Sequence, residues 1–143
     1  MGRKLAAVAL SVGAALMAFP SSTALSQTAT TIFRGTPSVK VSEGGIERLP
    51  EAISPDRGAN LQCVISRIGD AYYWASRENT ELVRIDSGAF TTYVALSGAG
   101  YVRVIRPEQK QAAALASPTE ASFDYVEHVV VGLRSITYYG KVR

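Results

Sequence analysis

From residue 61 onward, short β-prone runs alternate with turn-forming clusters at a spacing of about ten residues. The runs cover 62–67, 71–75, 81–85, 90–96 and 101–106. Between them stand Ile68-Gly69-Asp70, a polar stretch at 76–79, Asp86-Ser87-Gly88 and Ser97-Gly98-Ala99-Gly100. Two β-prone runs joined by a short glycine-containing loop signal a hairpin. A longer run follows at 123–131, and Gly132-Leu133 connects it tightly to a closing run at 134–139. This rhythm leaves little room for helices or parallel crossovers. It predicts an all-β domain, an antiparallel β-sandwich or small barrel of about six to eight strands.

One segment breaks the rhythm. Residues 107–115 hold Pro107, Glu108, Lys110 and three alanines. Proline suits the first helical position, so a short helical insertion is expected there, ended by Ser117-Pro118. Upstream, 27–45 is rich in Thr, Ser and Gly and reads as a flexible lead-in, with a short strand expected at 37–41. Residues 46–52 suit one helical turn limited by Pro50, and 54–58 read as a turn. A single β-rich domain over 46–143 is expected.

Side-chain alternation assigns faces, because successive strand residues point to opposite sides. Val102 and Val104 share one face, with Tyr101 and Arg103 on the other. In the long run, Tyr125, Glu127, Val129 and Val131 share a face with Phe123, opposite Asp124, Val126, His128 and Val130. The 71–75 run is apolar or aromatic on both sides, which predicts a central strand covered on both faces.

The first 26 residues read as an address. Arg3 and Lys4 precede an apolar run over 5–19, then Pro20 and a small-residue stretch ending Ala24-Leu25-Ser26. That order is a secretory signal peptide, with cleavage expected before Gln27. The run is too short for a spanning helix, which needs about 20 apolar residues. Cleavage removes 26 of 143 residues and leaves 117, one domain's worth. With Arg3 and Lys4 gone, the net charge falls from +3 to +1. The remaining basic residues are scattered, so no clustered basic face for nucleic acid is expected. A periplasmic or extracellular location is expected, with no transmembrane span in the mature chain.

Cys63 is the only cysteine, so no intrachain disulfide can form and the fold must stand on packing. Its neighbours Val64 and Ile65 are apolar, and a buried, inert thiol is expected. The other outcome, pairing with a second chain, would need exposure.

The chain carries few catalytic ingredients. A structural zinc site takes four ligands, mostly Cys and His, and this chain has one of each. Asp56, Asp70 and Asp86 stand in separate turns, with no calcium-loop spacing. No metal or cofactor is expected. No G-x-S-x-G elbow occurs, and the glycines at 98 and 100 precede a strand rather than a phosphate-cradling helix. The best nucleophilic pair on offer is Cys63 with His128.

Two segments suit recognition instead. Trp74, Arg77 and Glu78 put the only tryptophan beside charged turn residues, a combination that can stack on and orient a ligand. Tyr101 and Arg103 form an outward pair of the kind found at interfaces, and His128 joins them as a polar strand residue. The expectation is a small exported, non-catalytic binding or structural domain of the bacterial envelope or extracellular space. Its partner is an envelope component or a protein. The alternatives are a secreted hydrolase using Cys63 or His128, or an apolar-ligand carrier with a barrel cavity.

Overall fold

The computed structural model describes residues 27–43, 50–116 and 122–142. The expected signal peptide and residues 46–49 of the expected helical turn lie outside the described residues. Nine strands run β1 Thr30–Glu43, β2 Pro50–Ala52, β3 Cys63–Ile68, β4 Ala71–Trp74, β5 Thr80–Ser87, β6 Phe90–Ala95, β7 Gly100–Ile105, β8 Tyr125–Val131 and β9 Arg134–Val142. Strands β3 to β9 pair antiparallel, each with the next, and β1 pairs with both β3 and β9. The result is a closed eight-stranded antiparallel barrel, with β2 added outside the ring on β1. Of the two expected architectures, the barrel is the one formed.

Strand β1 makes the closure, and it corrects the reading of 27–45 as a lead-in with a short strand at 37–41. Residues 30–35 pair with β3, and residues 35–43 pair with β9. The register slips between Thr31 and Phe33 and again between Pro37 and Val39. Such bulges bend a strand and increase its twist, which lets one strand serve two neighbours. Pro37 sits at the second slip, where a missing ladder N–H is tolerated. Threonine, valine, isoleucine and phenylalanine supply the β-propensity, while Phe33, Gly35 and Pro37 alternate inward as buried residues.

Two further expectations change. Residues 54–58 were expected as a turn, but Pro55–Asn60 form a short helix, α1, with the proline at its start. Pro50–Ala52, expected within a helical turn, form strand β2 against Val39–Val41. The helical insertion is present as a 3-10 turn at Pro107–Gln109 followed by α2, Lys110–Ala116. Its buried Ala113 packs with Ala89 and Ile105.

The core is the barrel interior. Phe33, Cys63, Ile65, Trp74, Leu82, Tyr93, Ala95, Val102 and Tyr125 form one buried cluster. A barrel has no central strand covered on both faces. Accordingly β4 buries Trp74 inward and leaves Tyr73 half-buried outside, unlike the expected doubly covered strand. The connections at 75–79, 96–99 and 132–133 lie at one end, here called upper. Those at 69–70 and 88–89 lie at the other, with the end of β7 and the start of β8.

Candidate functional site

Five of the six expected site residues fall into two groups on opposite sides of the barrel wall. Trp74 and Arg77 belong to the interior and its upper mouth. Tyr101, Arg103 and His128 belong to the outer surface. Glu78 joins neither: it is exposed in the β4–β5 connection, where it and Asn79 both adopt a left-handed backbone with φ of 53°.

The interior group centres on Glu127, which was visible in the sequence only as a charged residue on an otherwise apolar face. β8 aims it inward beside its register partners Val102 of β7 and Tyr138 of β9. Its side chain is fully buried. The Trp74 indole N–H donates to Glu127 Oε1 at 3.1 Å, and the Arg77 guanidinium lies 3.0 Å from the same oxygen. Arg77 also sits over the Tyr138 ring at 5.9 Å, a cation–π geometry. Burial pushes the Glu127 carboxyl up from its ordinary range, while Arg77, Cys63 and Trp74 pull it down. Burial, with the nearby Glu127 charge, holds the Cys63 thiol well above its ordinary value. A thiol so placed lacks the exposure and net cationic surroundings that make a reactive nucleophile.

Tyr125 fits the interior by the absence of side chains opposite it. A Cβ on Gly35 or on Gly140 would fall on the Tyr125 ring, and one on Gly140 would also strike the Thr36 carbonyl oxygen. The ring packs edge-on against Phe33 at 5.3 Å between centroids. The Tyr125 hydroxyl and Glu127 Oε2 are buried without a hydrogen-bond partner among the described residues.

The outer group is set by register. Across the wall, Val83 of β5 pairs with Val94, Val94 with Tyr101, Tyr101 with His128, and His128 with Thr137. The parallel row below runs Ile85, Thr92, Arg103, Val126 and Tyr139. The Tyr101 and His128 rings stack at 5.2 Å, and His128 Nδ1 lies 2.9 Å from the Thr137 hydroxyl. The Arg103 guanidinium sits over both Phe90 and Tyr101, at 5.4 and 5.6 Å. Around this cluster stand exposed aliphatic side chains: Val83, Ile85, Leu96, Val130 and Leu133. Leu96 is 72% exposed and Leu133 wholly so.

Cys63 and His128 are not brought together. Cys63 packs in the interior cluster, whereas His128 follows the inward Glu127 and so faces out. Asp124, on the same side of the run as His128, pairs instead with Lys110 at 2.6 Å and accepts the Val142 N–H at 3.1 Å. Near this pair a pocket of about 280 Å³ opens at the lower end, lined mainly by Phe33, Val104, Ile105 and Val142. It stands at the small end of ligand sites, which run roughly 300–1,000 Å³, and the interior above it is filled by Trp74, Tyr125 and Ile65.

No group of three or more potential metal ligands comes together among the described residues. No helix among them is long and apolar enough to cross a membrane. Compared with protein-family models, with curated proteins and with solved structures, the chain matches none.

Proposed function

We propose that this chain is a small exported, non-catalytic binding domain of the cell envelope or extracellular space, and that it docks a protein partner on the outer wall of β5–β8. The carrying observation is the pair of cross-strand rows, in which exposed Val83 and Ile85 lead across the wall to Tyr101, His128 and Arg103. Monomeric surfaces scatter their apolar residues, whereas contiguous apolar area rimmed by polar groups marks interaction sites. Tyrosine and arginine are enriched at such interfaces, and here the stacking partners already restrain them, which lowers the ordering cost of binding. A protein partner suits the site better than a small ligand, because the wall is a broad face and the interior is packed. The non-catalytic reading rests on the burial of Cys63 and the opposite facing of His128, which separate the one nucleophilic pair the chain offers. The export reading rests on the charged start, apolar run and small-residue boundary of the first 26 residues.

Two experiments test this. Mass spectrometry of the protein recovered after export should find its N-terminus at or near Gln27; an intact Met1 contradicts export by cleavage. Val83→Glu combined with Tyr101→Ala should cost about 1–2 kcal/mol, the worth of the Tyr101 ring contacts, should leave the protein folded, and should abolish capture of the envelope partner. Undiminished capture by a folded double variant contradicts the docking face.

A further inference from the structure

The Glu127–Arg77 pair has a geometry that packing alone does not require. We propose that Glu127 and Arg77 form an acid-released latch at the upper mouth of the barrel: the charged pair holds the Arg77 side chain inward, and protonation of Glu127 frees it to solvent.

Three features support this. The first is one-sided bonding. Glu127 Oε1 takes both the Trp74 indole N–H and the Arg77 guanidinium, while Oε2 is buried with no partner among the described residues. A proton added at Oε2 therefore breaks no existing bond. The neutral acid keeps the Trp74 bond through Oε1, loses the attraction for Arg77 and weakens the Cys63 thiol bond that favours the carboxylate.

The second is the surroundings. The titratable and charged groups facing Glu127 are the Cys63 thiol from β3, Arg77 from the β4–β5 connection, Tyr125 from its own strand and Tyr138 from β9. Val102 from β7 is apolar. Burial holds the Cys63 thiol and the Tyr125 phenol protonated. Among the described residues, Arg77 is the cation that balances the carboxylate. Removing the negative charge leaves Arg77 with a cation–π contact to Tyr138 and a 3.2 Å bond to the Ser76 carbonyl. Those must compete with full hydration of a guanidinium.

The third is the path. The Arg77 side chain is already 26% exposed, so its tip needs only a short swing to reach water. Its backbone stays anchored, because Arg77 N–H donates to the Trp74 carbonyl and the Thr80 N–H and hydroxyl both bond the Arg77 carbonyl. Release therefore moves a side chain and leaves the barrel intact. A pocket of about 330 Å³ lies beside Arg77, which lines it with Ser76, Thr80, Ala99 and Val129. Burial of Glu127 places the transition above the ordinary glutamate range.

The chain's single tryptophan makes the test direct, since Trp74 touches the carboxylate itself. In ¹⁵N-labelled full-length mature protein, the Trp74 indole N–H and Arg77 Nε–H signals are followed from about pH 8 to pH 4, the range that spans a raised glutamate. Both should move with one shared midpoint above 4.5, the ordinary value, and Arg77 should reach the shift and exchange rate of a solvated arginine. Glu127→Gln should flatten both curves. Arg77→Gln, which leaves Glu127 titratable, should raise the Trp74 midpoint by about one unit or more. The latch is overturned if Arg77 keeps its neutral-pH signal while Trp74 titrates, if neither signal moves, or if Arg77→Gln leaves the midpoint unchanged.

Discussion

Single residues decide whether this barrel can close. Tyr125 occupies space that exists because positions 35 and 140 carry no side chain. Gly140→Ala should therefore destabilise the protein by about 1–3 kcal/mol, the range for overpacking a filled core, as read by denaturant unfolding. Tyr125→Leu in the same chain should recover part of that loss; no recovery would show that the Thr36 backbone contact dominates. Glu127 behaves differently because it is a charge. Removing its partner with Arg77→Ala strands a buried carboxylate and should cost about 3 kcal/mol at pH 7. Its pH dependence has a definite sign. The folded state raises the Glu127 pKa, so the folded protein binds the proton more tightly than the unfolded chain. That contribution is fully present below the ordinary value of 4.5 and is lost as pH rises through the folded value. Subtracting the stability curve of Glu127→Gln from that of the parent should isolate this falling component. Asp86 and Glu51 run the other way, held low by hydrogen bonds from Thr91 and Arg57 respectively. Glu127 was legible in the sequence as a lone charge on the inner face of 123–131. Its meaning was not, because Trp74 lies 53 positions away and local alternation says nothing about which strands meet.

Elements show the same division between local and distant information. Strands β3 to β9 were legible because each is a run of β-formers bounded by turn residues, and every hairpin pairs neighbours in sequence. Strand β1 was not, because Thr, Ser and Gly over 27–45 also describe a linker. Its strand character comes from two non-local partners, β3 and β9, which a window of sequence cannot contain. The outer residues Tyr101, Arg103 and His128 were individually legible as outward-facing. That they form one stacked cluster depends on the β7–β8 register, between strands that are not joined by a short hairpin turn. The β4–β5 connection carries a cost of its own: Glu78 and Asn79 both stand at φ of 53°, and a left-handed residue with a side chain costs about 1–2 kcal/mol relative to glycine. Glu78→Gly should raise the midpoint of thermal unfolding by a few degrees, corresponding to about 1 kcal/mol. A fall would mean that the Glu78 side chain holds the connection.

At the scale of the whole molecule, closure leaves the eight ring strands without the free edges that many β proteins use for pairing, the short β2 on β1 apart. It packs the interior with Trp74, Tyr125, Ile65 and Val102 and leaves recognition to the outside. A chain without a disulfide gains its order from this continuous ladder and from its filled core. Apolar side chains then stand on the outer wall of β5–β8, where they do nothing for the core, and this is what the docking proposal explains. The most direct measurement is a photo-crosslinking scan in cells that produce the protein. A crosslinking side chain is placed in turn at Val83, Val94, Tyr101 and Val130 on that wall, and at Arg34 and Gln62 on β1 and just before β3 as controls. The account predicts one common adduct from the wall positions and none from the controls. Adducts of equal yield from both sets, or none from the wall, would contradict it.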